Sequence, residues 1–327
     1  MKAANDWRPG ASLDLLRRRA RLLARVRAFF ADRLVMEVET PVLAAAGVTD
    51  PHLENLQTVF AMAGETPGRP LYLQTSPEYA MKRLLAAGSG PIYQIGKVFR
   101  DGETGRLHNP EFTLVEWYRP GFGYHDIMED TEDLLIYTLG IDYCRRLSYA
   151  AAVREYAGLD PLAASDAEIK NCALKLGLVG GNRRDMERDD YLDFILSEKV
   201  APQLGQDRPA FLCEYPASQA ALARIIEAPG AAPVAARFEV FIQGVEIANG
   251  FEELTDAEEQ RQRFEQDNAR RRRLGLLEKP IDQRLLAAMA YGLPDCAGVA
   301  LGLDRLLLVQ TGRRDLDEVL AFAHDRA

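Results

Sequence analysis

The sequence predicts an α+β chain, and two observations carry that prediction. Period-2 alternation runs on both sides of two glycine-containing loops, across 91–118 and again across 237–249, and each reads as an antiparallel hairpin. Around them, apolar residues recur at helical spacing over about 12–34 and 124–139, and capping residues open further helices at 76 and at 255 or 256. With 327 residues, 47% hydrophobic and 27% charged, the chain is expected to be a soluble globular protein able to bury a substantial core. A net charge of −9 argues against a broad electrostatic grip on nucleic acid, although a local basic patch stays open.

In chain order, Ser12 caps a first helix whose Leu13, Leu16, Leu23, Val26, Phe29 and Phe30 form the apolar stripe up to about Leu34. Its interleaved Arg17, Arg18, Arg19, Arg21 and Arg25 read as a solvated face. A short strand over 35–41, stopped by Pro41, follows, and residues 56–60 and 71–75 are further short strands. Ser76-Pro77-Glu78 opens a helix with Ser76 as cap and Pro77 at the first helical position, and Leu84 and Leu85 point inward. The helix over Tyr124–Leu139 turns Ile127, Leu134, Leu135 and Leu139 inward. From about 148 to 205 several short helical patterns broken by Gly, Pro and Asp read as an inserted helical subdomain, and its mixed run Arg183, Arg184, Asp185, Glu187, Arg188, Asp189, Asp190 as solvated.

A strand at 210–215 precedes the second hairpin, which breaks at Gly244. Thr255 or Asp256 caps a helix to about Leu274, and Arg270–Arg273 near its negative end read as a solvated tail. Finally 297–306 is an apolar, glycine-bearing strand opening a helix, with Arg305 in its first turn. An arginine there opposes the helix dipole, so an anionic partner is expected. Cys144, Cys172, Cys213 and Cys296 are scattered without CxxC spacing, and His52, His108, His125 and His324 form no ligand cluster. MKAANDWRPGAS lacks the apolar core of a signal peptide, and no apolar run is long enough to span a bilayer, so a cytosolic protein is expected.

The chemistry concentrates in the hairpins. Arg100, Arg106 and His108 surround the first loop, and the returning strand sets Phe112, Leu114, Glu116 and Tyr118 on one face. An aromatic, a carboxylate and a phenol beside a cationic loop suit a planar base, a phosphate chain and an ammonium group. On the second hairpin, Glu239 and Glu246 sit on opposite arms with Asn249 and Glu253 beyond. Such a pair repels unless a cation lies between its members, and a solvent-facing pair is the other reading.

Together these pieces resemble the catalytic domain of class II aminoacyl-tRNA synthetases of the lysyl type, over nearly the whole chain. Val38-Glu39-Thr40-Pro41 is similar to the first class II motif, 99–118 to the second and Gly302-Leu303-Asp304-Arg305 to the third, while HNPEFT at 108–113 and EIANGFEEL at 246–254 are specific to the lysyl branch. The resemblance implies a mainly antiparallel sheet flanked by helices, one catalytic domain over 1–327 with a helical insertion, and a homodimer through the first-motif helix. It also implies ATP and Mg²⁺. ATP would contact Arg100, Asp101, Gly102, Glu103, His108, Asn109, Phe112, Glu246, Ile247, Gly302 and Arg305. Arg100 and Arg305 would be catalytic: Arg100 on the α-phosphate and the attacking carboxylate, Arg305 with His108 on the γ-phosphate, adenine stacking on Phe112. Glu239 and Glu246 would bind the metal, and Ser76, Pro77, Glu78, Glu116, Tyr118, Asn249, Glu253 and Ala300 would form the amino-acid pocket. One departure concerns the Arg-x-Glu of the second motif, which here reads Arg100-Asp101-Gly102-Glu103, its acid one position late.

Because the first-motif helix lies almost at the start of this sequence, the anticodon-binding domain of lysyl-tRNA synthetases is expected to be absent. That plan, with Ser76-Pro77-Glu78 and Gly298-Val299-Ala300-Leu301-Gly302, resembles the elongation factor P lysine ligases, which attach (R)-β-lysine or lysine to a lysine side chain of elongation factor P. Lysyl-tRNA synthetases usually carry alanine in place of Ser76 and glycine in place of Ala300. Three alternatives stand beside this reading: lysine activation with tRNA as acceptor, an amide-forming synthetase using ammonia, and a non-catalytic paralogue that senses an amino acid.

Overall fold

A computed structural model describes residues 7–63, 66–178, 186–227 and 229–327. The first six residues of the N-terminal stretch, and Arg183, Arg184 and Asp185 of the charged run, lie outside the described residues. Helix α1 spans Leu13–Asp32, and the Ser12 Oγ accepts the Leu15 N–H at 3.3 Å. Its buried stripe keeps the predicted Val26, Phe29 and Phe30, but Leu15 and Leu22 take the places expected of Leu13, Leu16 and Leu23. Leu13 is exposed and Leu16 and Leu23 half-buried, because the run LDLLRRRARLL offers two adjacent apolar stripes and packing selects one. The helix stops at Asp32, and Leu34 turns the chain with φ +57°.

Four strands follow: β1 (Met36–Glu37), β2 (Leu43–Ala44), β3 (Gln57–Phe60) and β4 (Arg69–Leu73). The strand expected over 35–41 is therefore only two residues long. β2, β4 and β3 pair antiparallel as a small sheet. Helix α2 (Glu78–Ala86) is preceded by Pro77 as its cap residue, while the Ser76 Oγ accepts the Glu78 N–H at 3.0 Å. Ser76 thus serves the first turn from one position further out than expected, and of the two leucines only Leu85 is fully buried. β5 (Ile92–Phe99) and β6 (Glu111–Pro120) form the predicted hairpin, in unbroken antiparallel register from Ile92 opposite Tyr118 to Phe99 opposite Glu111, and β1 pairs parallel with β5.

Helix α3 (Tyr124–Leu139) ends at Gly140 in the left-handed region. Strand β7 (Arg145–Ser148) is followed by helices α4 (Tyr149–Ala157), α5 (Asp166–Lys175) and α6 (Arg188–Ile195), a π turn over 196–200 and a 3₁₀ turn over 201–203. Then come β8 (Ala210–Pro216), β9 (Ile225–Ile226), β10 (Val234–Ile242) and β11 (Val245–Glu252). β10 and β11 are joined by Gln243 and Gly244, both at positive φ, the geometry that two-residue hairpin turns require. Helix α7 (Ala257–Arg273) is capped by Asp256, whose Oδ1 accepts from Glu258 N and Glu259 N. Helix α8 (Gln283–Gly292), strand β12 (Cys296–Gly302) and helix α9 (Leu303–Gln310) complete the series.

The described chain divides into two compact units. One comprises residues up to Gly121 with Thr255–Asp295 and Ala300–Ala327; the other comprises Phe122–Leu254 with Cys296–Val299. In the first, Phe30 stacks on Tyr93 at 4.4 Å and lies 5.4 Å from Trp117, within a core that includes Val26, Phe29, Ile92 and Val115. In the second, β10 pairs antiparallel with β11 and β8, β7 pairs parallel with β8, and Val153, Ile169, Leu192, Ile195 and Leu212 share one buried cluster. The architecture is α+β, with mixed and mainly antiparallel pairing flanked by helices.

Two arginines expected on solvated faces are buried or bonded inward. Arg19 of α1 donates to Asp304 and, at 2.7 Å, to the Thr113 Oγ1. Arg271, only 1% exposed, donates to the Leu277 and Asp50 carbonyls and to the Glu54 carboxylate, which Lys279 also reaches. The sequence pattern marks both as members of charged runs and gives no sign of the distant carboxylates that draw them in.

Candidate active site

In the first unit, the hairpin β5–β6 and helix α2 bring one cluster of the expected residues together. Side chains alternate along β6, so Phe112, Leu114, Glu116 and Tyr118 share a face, as expected. Glu116 is 2% exposed; its Oε2 accepts the Ser76 hydroxyl and its Oε1 the Tyr118 hydroxyl, both at 2.7 Å. Burial and the nearby Glu78 charge push its carboxyl up to about 7, against the lowering effect of Ser76, Tyr118 and Lys82. Glu78 itself accepts the ammonium of Lys82 at 2.5 Å, one helical turn on along α2. Lys82 is 1% exposed and was not singled out from sequence, although its i,i+4 spacing from Glu78 is a legible signal. Pro77 is buried beside this cluster in sequence, and Ala300 is half-buried on β12.

The loop between β5 and β6 holds the cationic residues. Three backbone bonds pin its start: Phe99 N to the Gln74 carbonyl, Arg100 N to Pro110 and Asp101 N to Glu54, at 2.8 to 2.9 Å. The Arg100 guanidinium lies 5.0 Å from the Phe112 ring centre and 3.5 Å from the Glu103 carboxylate, so the acid that is one position late still reaches it. The Arg100 Nε is buried and has no hydrogen-bond acceptor among the described residues, an arrangement that fits an anion. Asp101 is exposed and Gly102 takes φ +76° at the loop's turn. On α9, capped by Gly302, Arg305 donates to the Leu107 carbonyl at 3.2 Å and meets the His108 Nε2 at 3.0 Å. Asn109, 6% exposed, donates its amide N–H to the Glu111 carbonyl, and its oxygen accepts the His324 N–H. Its carboxamide therefore fixes the hairpin mouth and the C-terminal segment.

In the second unit, β10 and β11 carry the carboxylates. Glu239 is opposite Asn249, and Glu246 opposite Phe241, across a register shift at Val240 and Phe241. Glu239 is buried; burial and the charge of Glu246 push its carboxyl up to about 7, opposed by Arg237. Arg237 donates to the Glu239 Oε1 at 2.6 Å, the Asn249 Oδ1 at 3.2 Å and the Gln219 carbonyl at 2.8 Å. It also lies over the Tyr215 ring at 4.5 Å. Sequence reasoning missed Arg237, although residues two apart in a strand share a face and Arg237-Phe238-Glu239 places cation and carboxylate together. Ile247 is buried and Asn249 half-buried; Glu253 is fully buried, its N–H donating to the Cys296 carbonyl. Glu252 accepts the Tyr124 N–H at 3.0 Å and pairs with Arg224 at 3.1 Å, anchoring the start of α3.

Among the described residues no group of three or more His, Cys, Asp or Glu converges as a metal site. The mutual repulsion of Glu239 and Glu246 is one that a divalent cation would relieve, and oxygen donors are the ligands such a cation takes. No helix of the described residues is long and apolar enough to cross a membrane.

Residues 3–326 match the family described as tRNA synthetases class II (D, K and N). A protein of Yersinia enterocolitica serotype O:8 / biotype 1B named elongation factor P--(R)-beta-lysine ligase is 49% identical over 327 residues, all of both chains. Its namesake from Vibrio parahaemolyticus serotype O3:K6 is 50% identical over 317 residues, 97% of this chain and 98% of its own. The one from Pectobacterium carotovorum subsp. carotovorum is 48% identical over the full length of both.

Proposed function

The chain belongs to the class II tRNA synthetase family of D, K and N type, and from that membership we propose that it is an ATP-dependent ligase that activates (R)-β-lysine or lysine and transfers it to a lysine side chain of elongation factor P. The observation that carries the reading is the Glu116 pocket: a buried carboxylate, raised to about 7, beside a second carboxylate and a serine hydroxyl, on a chain half identical over its full length to ligases of that name. An ammonium group entering the pocket stabilises the ionised form of Glu116 and offsets the cost of burying it.

In the first step the amino-acid carboxylate attacks the α-phosphorus of ATP, forming the aminoacyl-adenylate and releasing pyrophosphate. The nucleophile is already an anion, so no general base is required, and positioning and charge neutralisation carry the rate. Arg100, with its buried Nε, meets the α-phosphate and the incoming carboxylate; a planar guanidinium can contact both. Arg305 and His108 take the γ-phosphate, Phe112 stacks on adenine, and Asp101, Gly102, Glu103, Ile247 and Gly302 border the nucleotide. Asn109 contributes by holding the hairpin mouth. Mg²⁺, held by Glu239 and Glu246, would neutralise phosphate charge. Ser76, Pro77, Glu78, Glu116, Tyr118, Asn249, Glu253 and Ala300 form the amino-acid pocket. In the second step the ε-amine of the acceptor lysine attacks the acyl carbonyl; an amide forms, AMP leaves and the amine's proton goes to solvent.

Both compact units serve one catalytic domain in this reading, with 148–205 as a helical insertion, and the protein works as a cytoplasmic homodimer. The apolar side chains exposed at Leu34, Met36, Val42 and Leu43 support self-association. The Ser76 hydroxyl on Glu116 and the Ala300 methyl would favour a shifted amino group over that of α-lysine. Ser76→Ala with Ala300→Gly is expected to move preference from β-lysine toward lysine, and unchanged relative kcat/KM for the two amino acids would reject that assignment.

The deciding experiment is the intact mass of purified elongation factor P after incubation with this protein, ATP, Mg²⁺ and (R)-β-lysine, with lysine and tRNA in parallel arms. A gain of one lysyl unit on the factor, lost in Arg100→Ala, is expected. Amino-acid-dependent pyrophosphate exchange without that gain would keep the activation step and discard the acceptor.

A further inference from the structure

Three segments far apart in sequence meet at one carboxylate. Asp304, the first-turn residue before Arg305 on α9, is 2% exposed. Its Oδ2 accepts the backbone N–H of Thr113, the residue after Phe112 on β6, at 2.8 Å. Its Oδ1 accepts the Arg19 Nη1 from α1, and the Arg19 Nη2 donates to the Thr113 hydroxyl at 2.7 Å. Both Asp304 oxygens and both Arg19 terminal nitrogens are therefore engaged in one closed ring of bonds.

Among the residues adjacent to this ring in sequence are Phe112 and Arg305. One carboxylate thus sets the spacing between the strand that carries the aromatic ring and the helix that carries the phosphate cation. A carboxylate taken out of water is costly unless a cation compensates it. Arg19 is that cation, and its two-pronged guanidinium reaches carboxylate and hydroxyl at once, which an ammonium group cannot do in the same plane.

We propose that Arg19 is a positioning residue for ATP: through Asp304 and Thr113 it fixes Phe112 and Arg305 at the separation the nucleotide needs. This rests on the reading of Phe112 and Arg305 as nucleotide contacts. The amino-acid pocket is anchored by a different set of bonds, from Ser76, Lys82 and Tyr118. Losing Arg19 therefore weakens ATP and spares the amino acid.

The test measures ATP binding by calorimetry, and KM for ATP and for the amino acid by pyrophosphate exchange, in wild type, Arg19→Met, Arg19→Lys and Thr113→Val. Arg19→Met is expected to weaken ATP about tenfold, some 1.4 kcal/mol, with the amino-acid KM within about twofold of wild type. Arg19→Lys recovers part of the loss, and Thr113→Val, which keeps the Asp304 bond but removes one Arg19 acceptor, costs about threefold in ATP. Unchanged ATP affinity in Arg19→Met overturns the proposal, as does a fall in kcat with both KM values unmoved, the mark of a merely structural role. Should Arg19→Met fail to fold, Thr113→Val decides alone, and wild-type ATP affinity there overturns it. Absence of ATP binding in wild type would instead reject the nucleotide site, a result distinct from either.

Discussion

Burial and the neighbouring Glu78 charge lift the Glu116 carboxyl to about 7, so its proton is exchanged both on folding and on binding. In the unfolded chain the group titrates near 4.5. Below that pH both states are protonated; between about 4.5 and 7 the unfolded state ionises first, and stability falls as pH rises through the window. The full effect is up to about 3 kcal/mol at 1.4 kcal/mol per unit. Glu116→Gln, neutral at every pH, lacks this slope, so its melting temperature relative to wild type should rise between pH 5 and pH 8. The same variant should bind the amino acid more than about tenfold more weakly, with the loss of one charged hydrogen bond. Arg237 gives a second case. Its removal leaves the Glu239 carboxylate buried without the cation now 2.6 Å away, so Arg237→Met should cost about 3 kcal/mol in urea unfolding, most of it restored by adding Glu239→Gln. At this scale the sequence shows charged residues by type and spacing, and conceals their internal partners. Lys82, Arg237 and Arg19 look like ordinary surface charges until the fold brings Glu78, Glu239 and Asp304 to them.

Hairpins and long helices were legible because their periodicity is local. The pairing of β5 with β6 as a hairpin and the break of the second hairpin at Gly244 are read from alternation and turn residues. Strand β7 was not legible: Arg145-Arg146-Leu147-Ser148 holds one apolar residue, and it is a strand because it pairs in parallel with Ala210–Cys213, more than sixty positions away. The inward leucines of α1 differ from expectation for a related reason, since two leucine stripes compete and only tertiary contact chooses between them, while Val26, Phe29 and Phe30 are buried as the spacing implies. Backbone approach at Gly250 on β11 is another feature the pattern cannot supply. A Cβ there would meet the Val299 Cγ2 at 2.5 Å, the Phe238 Cζ at 2.6 Å and the Gly298 carbonyl oxygen at 2.9 Å. Two of those neighbours cannot yield without moving backbone or a packed ring, so Gly250→Ala should lose about 2 kcal/mol. Because Asn249 is the adjacent residue, the amino-acid KM should rise in parallel, and a urea midpoint equal to wild type would contradict the packing assignment.

For the whole molecule, the surface left by one chain bears on its assembly. Leu34 is 88% exposed and Met36 50%, and Val42, Leu43, Val59, Phe60 and Met62 are exposed as well, all within the first 62 residues. Glu39, Thr40 and Pro41 also line a cavity of 660 Å³ with Arg83, Leu84 and Tyr291, and Tyr291 is itself 85% exposed. Water contact with this many large apolar groups costs about 25 cal/mol for each Å² that a partner would cover. The acidic net charge of −9 does not compensate, because it repels copies over a Debye length but leaves the apolar contact intact at physiological salt. A second copy of the chain is the partner that the first-motif resemblance implies. Light scattering at micromolar concentration should therefore return twice 36.4 kDa for wild type. Met36→Glu with Leu43→Glu places two charges where the apolar groups meet, and should weaken the dimer at least about a hundredfold, some 3 kcal/mol. Since both side chains are exposed in the single chain, the variant should keep its helical circular dichroism as a monomer. A wild-type monomer would count against the dimer, and a dimeric double variant would move the seam elsewhere on the surface.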